Sequence, residues 1–281
     1  MGPLPEDVVL RIGSSSLWVS PDLQGDPKVD LLADPDLLFS SPQCEIIKDQ
    51  KKIKVGRVQL EIGGRIKGIY LKRYNVFSWR YLVGSLFVPS PASRSWAGAE
   101  ILLQSGFHTG RPIAAVECRF WGLLKKSFYL SEEIPRGKTV DAYWREELIP
   151  ISGSEGFLRR RIFLKDLALL FSSLHERNIY HNDLKDANII VCSDDTRPEG
   201  SFYLLDLEGI RRYRVLKRRR RIKNLVQLNR TMGSLLRPSE KLYWVKVYLG
   251  NAFFDRRERR KWIKGILEES ARRDLRSLRK R

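Results

Sequence analysis

The stretch YHNDLKDANIIV, residues 180–191, decides how this chain is read. His181, Asn182, Asp183, Lys185, Asp186 and Asn188 crowd into eight positions, and a β-branched run follows. A polar surface turn would also collect Asp and Asn, whose short side chains bond to nearby backbone. The other reading is a loop that holds a carboxylate base, a cation and a metal ligand side by side. The flanking sequence bears on the choice.

Upstream, FLRRRIFLKDLALLFSSLHER, residues 157–177, places Leu and Phe at intervals of three and four, the stripe of an amphipathic helix. Downstream, SDDTRPEGS reads as a turn and FYLLDLEGI as a second short strand, followed by a basic and mostly helical remainder. Farther upstream the periodicity changes to two. KIKVGRVQLEI and RIKGIYLKRY alternate apolar and polar residues around Gly63 and Gly64, a strong hairpin signal because adjacent glycines supply the positive φ angles of a tight turn. The loop VPSPASRS then leads into WAGAEILLQSG, a helix that Ser95 would cap and Gly106 would end. RPIAAVECRFWG and KKSFYLSEEI read as two further strands. Residues 1–40, rich in Pro, Asp, Ser and Gly, read as an N-terminal extension with short strands at most. The expected division is therefore this extension, a strand-rich part over 41–134 and a helix-rich part over 135–281.

The chain's 281 residues can bury a sizeable core, and its apolar content is that of a globular protein. Lys and Arg number 52 against 33 Asp and Glu, a net charge of +19, which favours encounters with nucleic acid, acidic lipid or phosphorylated substrates. Cys44, Cys118 and Cys192 are far apart, lack metal-ligand spacing and cannot all pair within the chain. The N-terminus has neither a basic n-region nor a long apolar core, and the longest apolar runs are strand-length. A reducing cytoplasmic setting is expected, without a membrane-spanning helix.

Phosphoryl transfer from a nucleotide asks for positioning more than for covalent chemistry. It needs a cation on the α and β phosphates, oxygen ligands for a metal, and a carboxylate to take or orient the acceptor hydroxyl's proton. Lys72, in the strand GIYLKRY, is the candidate cation, and Glu100, on the helix of WAGAEILL, could hold it by an ion pair. Asp183 is the candidate base. Asn188 offers an amide oxygen and Asp206 a carboxylate, both suited to Mg2+.

The ordered series I-Y-L-K, a helical Glu, H-N-D-L-K-D-A-N and D-L-E-G resembles the signature of protein-kinase-like enzymes. With SRSWAGAEILLQSGFHTGRPIA, and DLEGIRRYR followed closely by KNLVQLNRTM, it is similar to the bacterial lipopolysaccharide kinase family, which phosphorylates Kdo or heptose sugars of the inner core. The likeness spans roughly residues 45–235. It implies an α+β, bilobal protein-kinase-like fold with a strand-rich N-lobe and a mainly helical C-lobe. It also implies ATP and Mg2+ as cofactors, with Lys72 on nucleotide phosphates, Glu100 orienting it, and the backbone around Glu132 to Ile134 meeting adenine. Asp183 would be the base, Lys185 would lie near the transferred phosphoryl group, Asn188 and Asp206 would hold Mg2+, and His181 would brace the loop. The implied acceptor is an anionic glycolipid, lipid A with inner-core sugars.

Three departures qualify the likeness. No G-x-G-x-x-G precedes Lys72, Asn182 stands where protein kinases carry Arg, and Glu208 stands where they carry Phe. With no A-P-E signature, the latter two favour a constitutively assembled small-molecule or glycolipid kinase over a regulated protein kinase. The competing functions are an atypical Ser/Thr protein kinase and a basic nucleic-acid-binding protein on a kinase-like scaffold, although no specific nucleic-acid motif is present. Two basic stretches stay open. RRYRVLKRRRRIK, residues 211–223, is either a solvated face or a surface that receives an acceptor bearing carboxylates and phosphates. FFDRRERRKWIKGILEESARRDLRSLRKR is either a packed C-terminal helix or one that lies on an anionic membrane surface.

Overall fold

The computed structural model describes residues 8–23, 28–76, 78–134, 136–194 and 197–278, in two units, Met1–Ile134 and Pro135–Arg281. Residues 195–196 of the expected turn, and residues 1–7 and 24–27 of the expected extension, lie outside the described residues.

The first unit contains β1 (Val8–Ile12), β2 (Ser15–Val19), α1 (Lys28–Leu32), α2 (Asp36–Phe39), β3 (Glu45–Asp49), β4 (Ile53–Ile62) and β5 (Arg65–Asn75). Then come α3 (Trp79–Gly84), α4 (Pro91–Gln104), β6 (His108–Thr109), β7 (Pro112–Phe120) and β8 (Leu123–Glu132). Seven strands form one antiparallel sheet in the order β1-β2-β7-β8-β5-β4-β3. The glycine pair makes the expected hairpin, with Ile62 opposite Arg65 and φ of 57° and 74° at Gly63 and Gly64. A second two-residue turn, Trp121-Gly122, joins β7 to β8 with φ of 52° and 78°.

Alternation assigns the two faces of β5. Ile69 and Leu71 enter a core with Leu17, Leu23, Leu32 and Leu38. Tyr70, Lys72 and Tyr74 point the other way, toward α4, where the Tyr74 hydroxyl meets Ser95 Oγ at 3.0 Å. Residues 8–39 thus do more than the sequence reading expects. Pro, Asp and Gly break up their local pattern, yet β2 pairs with β7, and α1 and α2 supply apolar side chains to the core on the face opposite α4. The start of α4 also differs. Its cap is Ser90, whose Oγ accepts from Ser93 N at 3.0 Å, because Pro91 fits the first helical position where no N–H is needed. Ser95 is buried inside the helix and donates to the Pro91 carbonyl.

The second unit opens with β9 (Lys138–Thr139) and α5 (Val140–Tyr143), which runs into a π-helical turn, Trp144–Leu148. It continues with α6 (Gly153–Glu176), β10 (Ile179–His181), β11 (Ile189–Asp194), β12 (Arg197–Leu204), β13 (Ile210–Arg212), α7 (Arg218–Met232), α8 (Pro238–Leu249) and α9 (Arg256–Leu278). The apolar stripe of α6 buries Phe163, Leu167 and Phe171. An aromatic ladder ties three helices together, from Phe171 to Trp244 at 5.3 Å, Trp244 to Tyr248 at 5.6 Å and Tyr248 to Trp262 of α9 at 5.7 Å. Helix α9 is therefore packed through Trp262. A Cβ on its Gly265 would stand 2.6 Å from Ile222 of α7, so the two helices cross at close range.

Candidate active site

The stretch that opened the reading is a loop between short strands. Helix α6 ends at Glu176, and Asn178 turns the chain in the left-handed region at φ 59°. The Asn178 side-chain oxygen accepts from Leu216 N at 2.8 Å, and its carbonyl accepts from Tyr213 N at 2.9 Å. The chain then enters β10, which pairs with β13, His181 standing opposite Ile210.

His181 is almost fully buried. Its Nε2 donates to the Leu205 carbonyl at 2.8 Å, and its Nδ1 accepts from Asp183 N at 3.1 Å. That pairing calls for the neutral ring with the proton on Nε2, and burial lowers its pKa despite the Leu205 bond and nearby Asp206. Asp183 projects from the loop beyond. Its carboxylate meets Lys185 Nζ at 2.7 Å, and Asn188 Nδ2 donates to its backbone oxygen at 2.7 Å and to Oδ2 at 3.2 Å. The Asp183 bond raises the Lys185 pKa, with further support from Asp206 and Asp186. These bonds use the Asn188 amide nitrogen and turn its oxygen away from Asp183.

Asp206 follows β12 in the left-handed region, at φ 56° and ψ 57°. A non-glycine residue there is a strained choice that the surrounding structure must enforce. Leu205 N donates to the Asn188 carbonyl at 2.9 Å, so the ends of β11 and β12 hold Asn188 and Asp206 near each other. Gly209 lets the chain turn back. A Cβ there would stand 2.7 Å from Asn182 Cβ, while Asn182 N donates to the Gly209 carbonyl at 3.2 Å.

In the first unit, Lys72 lies between Val55 and Tyr129 across neighbouring strands, with its ammonium 5.1 Å from the Tyr74 ring centre. Glu100 is half-buried on α4. The Tyr129 hydroxyl is buried without a hydrogen bond, and burial raises its pKa, helped by Tyr74 and by the Glu100 charge. That effect puts Glu100 on the side of the sheet that carries Tyr74, Lys72 and Tyr129. Glu132, at the end of β8, pairs with Lys67 at 2.5 Å, and Glu133 pairs with Arg57 at 2.9 Å. Ile134 is half-buried at the last position of the unit.

The sequence reading misses two features. Asn224 and Gln227 of α7 anchor the loop from below. Asn224 Nδ2 donates to the His181 carbonyl at 2.6 Å, Gln227 Nε2 donates to the Asn182 carbonyl at 2.6 Å, and Asn224 Oδ1 meets His175 Nε2 at 3.1 Å. The signal was an Asn at a core position of a basic amphipathic helix. The other feature is the turn at Gln50–Lys52 between β3 and β4, where Gln50 N and Ile53 O, and Ile53 N and Gln50 O, pair at 3.0 and 3.1 Å. Lys72 lies on β5 two residues from Tyr74, which faces Ile53 beside that turn. Gly56 has a packing role instead, since a Cβ there would meet Cys44 Sγ at 2.8 Å and Phe39 at 2.9 Å.

The basic run divides. Arg221 donates to the His175 and Leu216 carbonyls, Arg218 pairs with Glu258 at 2.6 Å, and Arg220 stacks 4.1 Å over Tyr213. Arg214, Lys217 and Arg219 are exposed. Among the described residues no three His, Cys, Asp or Glu side chains converge to hold a metal, and no helix is long and apolar enough to cross a membrane.

The sequence model of the lipopolysaccharide kinase (Kdo/WaaP) family matches residues 70–248, well over half of the chain. Among solved structures, one of WaaP in complex with acyl carrier protein superposes with a TM-score of 0.62, covering 89% of this chain and 96% of that one at 18% identity, a likeness of fold. No curated protein matches by sequence.

Proposed function

Because the chain belongs to the lipopolysaccharide kinase (Kdo/WaaP) family, a family of phosphotransferases acting on a lipopolysaccharide sugar hydroxyl, we propose that it moves the γ-phosphoryl group of ATP to Kdo or heptose of the inner core. The observation that carries this reading is the Asp183–Lys185–Asn188 cluster, hydrogen-bonded together beside an Asp206 held in left-handed backbone. Asp tolerates left-handed backbone better than most residues, and such conformations cluster at functional sites.

In the proposed reaction Asp183 accepts the acceptor hydroxyl's proton as the new O–P bond forms and the bond to the ADP oxygen breaks. Lys185 balances charge on the transferred group, and Lys72, oriented by Glu100, contacts the α and β phosphates. Glu132 to Ile134 meet the adenine through backbone. Asn188 and Asp206 are hard oxygen donors that fit Mg2+, an ion that completes its shell with water and phosphate oxygens and so does not require three carboxylates or imidazoles. Bound there, the ion neutralises phosphate charge. The Gln50–Lys52 turn, which has cations and no glycine, takes the place of a glycine-rich phosphate cover, with Lys51 and Lys52 supplying side-chain charge. The acceptor's own phosphates and carboxylates suit the exposed Arg214, Lys217 and Arg219.

The test is transfer from labelled ATP with Mg2+ to Kdo-bearing lipid A, heptose-bearing core and a generic protein, with wild type and Asp183→Ala compared. Label on one glycolipid, lost in the variant, supports the reading and chooses the sugar. Label on the protein alone would replace it with an atypical protein kinase.

A further inference from the structure

Several of the largest apolar side chains that the cores leave out gather at one place in the first unit. Trp121 is 88% exposed, Phe87 84% and Trp79 71%, with Phe120, Leu86 and Val83 also exposed beside them. They come from α3, from the turn that follows it and from the β7–β8 turn. Ser85 ties the two together, its Oγ accepting from Leu124 N at 3.2 Å and its carbonyl accepting from Arg119 at 3.3 Å. A Cβ on Gly122 would touch Leu86 at 3.9 Å, so the two tips adjoin.

Trp121 is a poor choice for its turn. With φ of 52° followed by Gly122 at 78°, the two-residue hairpin favours Asn-Gly, and a bulky side chain in the left-handed region is costly. Its ring lies 6.1 Å from Phe120 and is otherwise presented to solvent. Local stability is given up to expose an indole.

We infer that this double tip is where the protein docks on an anionic bilayer. Trp and Phe at projecting turns suit the headgroup boundary, where an apolar ring and a polar edge are both accommodated. The Phe87 and Trp121 rings are each more than four-fifths exposed, so both are available to enter an apolar phase. Residues 82–94 and 117–126 contain Arg94, Arg119, Lys125 and Lys126 against one acid, Glu117, which pairs with Arg119 at 2.9 Å, a net basic balance that suits anionic headgroups. Lys125 stands 4.3 Å over the Phe120 ring, whereas Lys126 is already paired with Asp34 and Asp36. The C-terminal helix presents a weaker case, since its Trp262 is buried in the second unit. Docking also rests on the proposed glycolipid acceptor, whose acyl chains sit in a bilayer.

The experiment is flotation of the full chain with vesicles of phosphatidylethanolamine and phosphatidylglycerol, and with phosphatidylcholine alone, for wild type, Phe87→Ser/Trp121→Asn and Arg256→Glu/Arg260→Glu. Asn suits the turn, so the tip variant should melt no lower than Phe87→Ser alone. We expect wild type to float with the anionic vesicles and the tip variant to lose about tenfold in binding. Transfer to acceptor embedded in vesicles should fall in the tip variant, while transfer to detergent-dispersed acceptor is unchanged. Wild type that fails to float, a tip variant that floats as well as wild type, or loss confined to the Arg256/Arg260 variant overturns the inference. Flotation without transfer to any glycolipid would overturn the proposed reaction and leave the docking surface standing.

Discussion

Asp183 is held by three neighbours, so its removal separates chemistry from folding. Lys185 and Asn188 bind its carboxylate, while the bond from its own N–H to His181 persists in any substitution that keeps the backbone. Asp183→Ala should lower kcat about a thousandfold and leave the thermal midpoint and ATP affinity close to wild type, as read by steady-state kinetics, calorimetry and nucleotide titration. His175 makes the opposite prediction, one about stability. It is buried between Tyr248 Oη at 2.8 Å and Asn224, and burial pushes its pKa down to about 4 although the Asn224 bond opposes this. The unfolded ring titrates near the usual histidine value, so between roughly pH 6.5 and 4 the unfolded state binds the extra proton. Stability from this site is complete above that window and is lost as pH falls through it, by about 3 kcal/mol. His181 shifts in the same sense. Urea midpoints from pH 7 to pH 4 should therefore fall steeply, and His175→Gln should flatten part of the slope.

At the scale of elements, glycines of similar appearance in the sequence do different work. Gly64 has φ 74° and open space around it, so Gly64→Ala should cost about 1 kcal/mol of stability in a denaturant titration and leave turnover alone. Gly209 has ordinary φ but lies against Asn182, and Gly209→Ala should push the loop that carries the proposed base Asp183, cutting kcat severalfold while the thermal midpoint moves only a few degrees. Helix α7 carries its own prediction. Asn224→Ala removes the amide donor to the His181 carbonyl and the acceptor of the His175 Nε2 proton in a buried place, which should cost about 3 kcal/mol, read by urea unfolding. The hairpin at Gly63-Gly64, the strands β7 and β8 and the long α6 were legible from alternation and periodicity, because each satisfies its pattern within one short segment. The start of α4 was not read correctly, since Ser90 and Ser95 both precede helical sequence and only the Pro91 backbone decides between them.

For the whole molecule, residues 8–39 are the unexpected part. They bury Leu17, Val19, Leu23, Leu32 and Leu38 against a sheet face formed by Ile69, Leu71, Phe128 and Leu130. Deleting residues 1–40 should expose that face and yield aggregated protein, measured by soluble yield and sedimentation, where a dispensable appendage would give a soluble kinase. The net charge of +19 acts at the same scale, raising the rate of encounter with anionic vesicles at low salt without choosing the face that docks.

By itself the sequence determined the strand-rich and helix-rich order of the two parts, the Gly63-Gly64 hairpin and the long α6, the residue types present at Asp183, Lys185, Asn188 and Asp206, and the chain's strongly basic charge. These follow from residue type and from spacings of a few positions, which neighbouring backbone translates directly into geometry. Only the tertiary structure decided that β2 pairs with β7 nearly a hundred residues later, that Asn224 and Gln227 hold up the loop at His181 and Asn182, and that Trp262 is buried while Trp121 is exposed. Those outcomes depend on which distant segments share a buried surface. A local pattern can call for burial, but it does not name the partner that provides it.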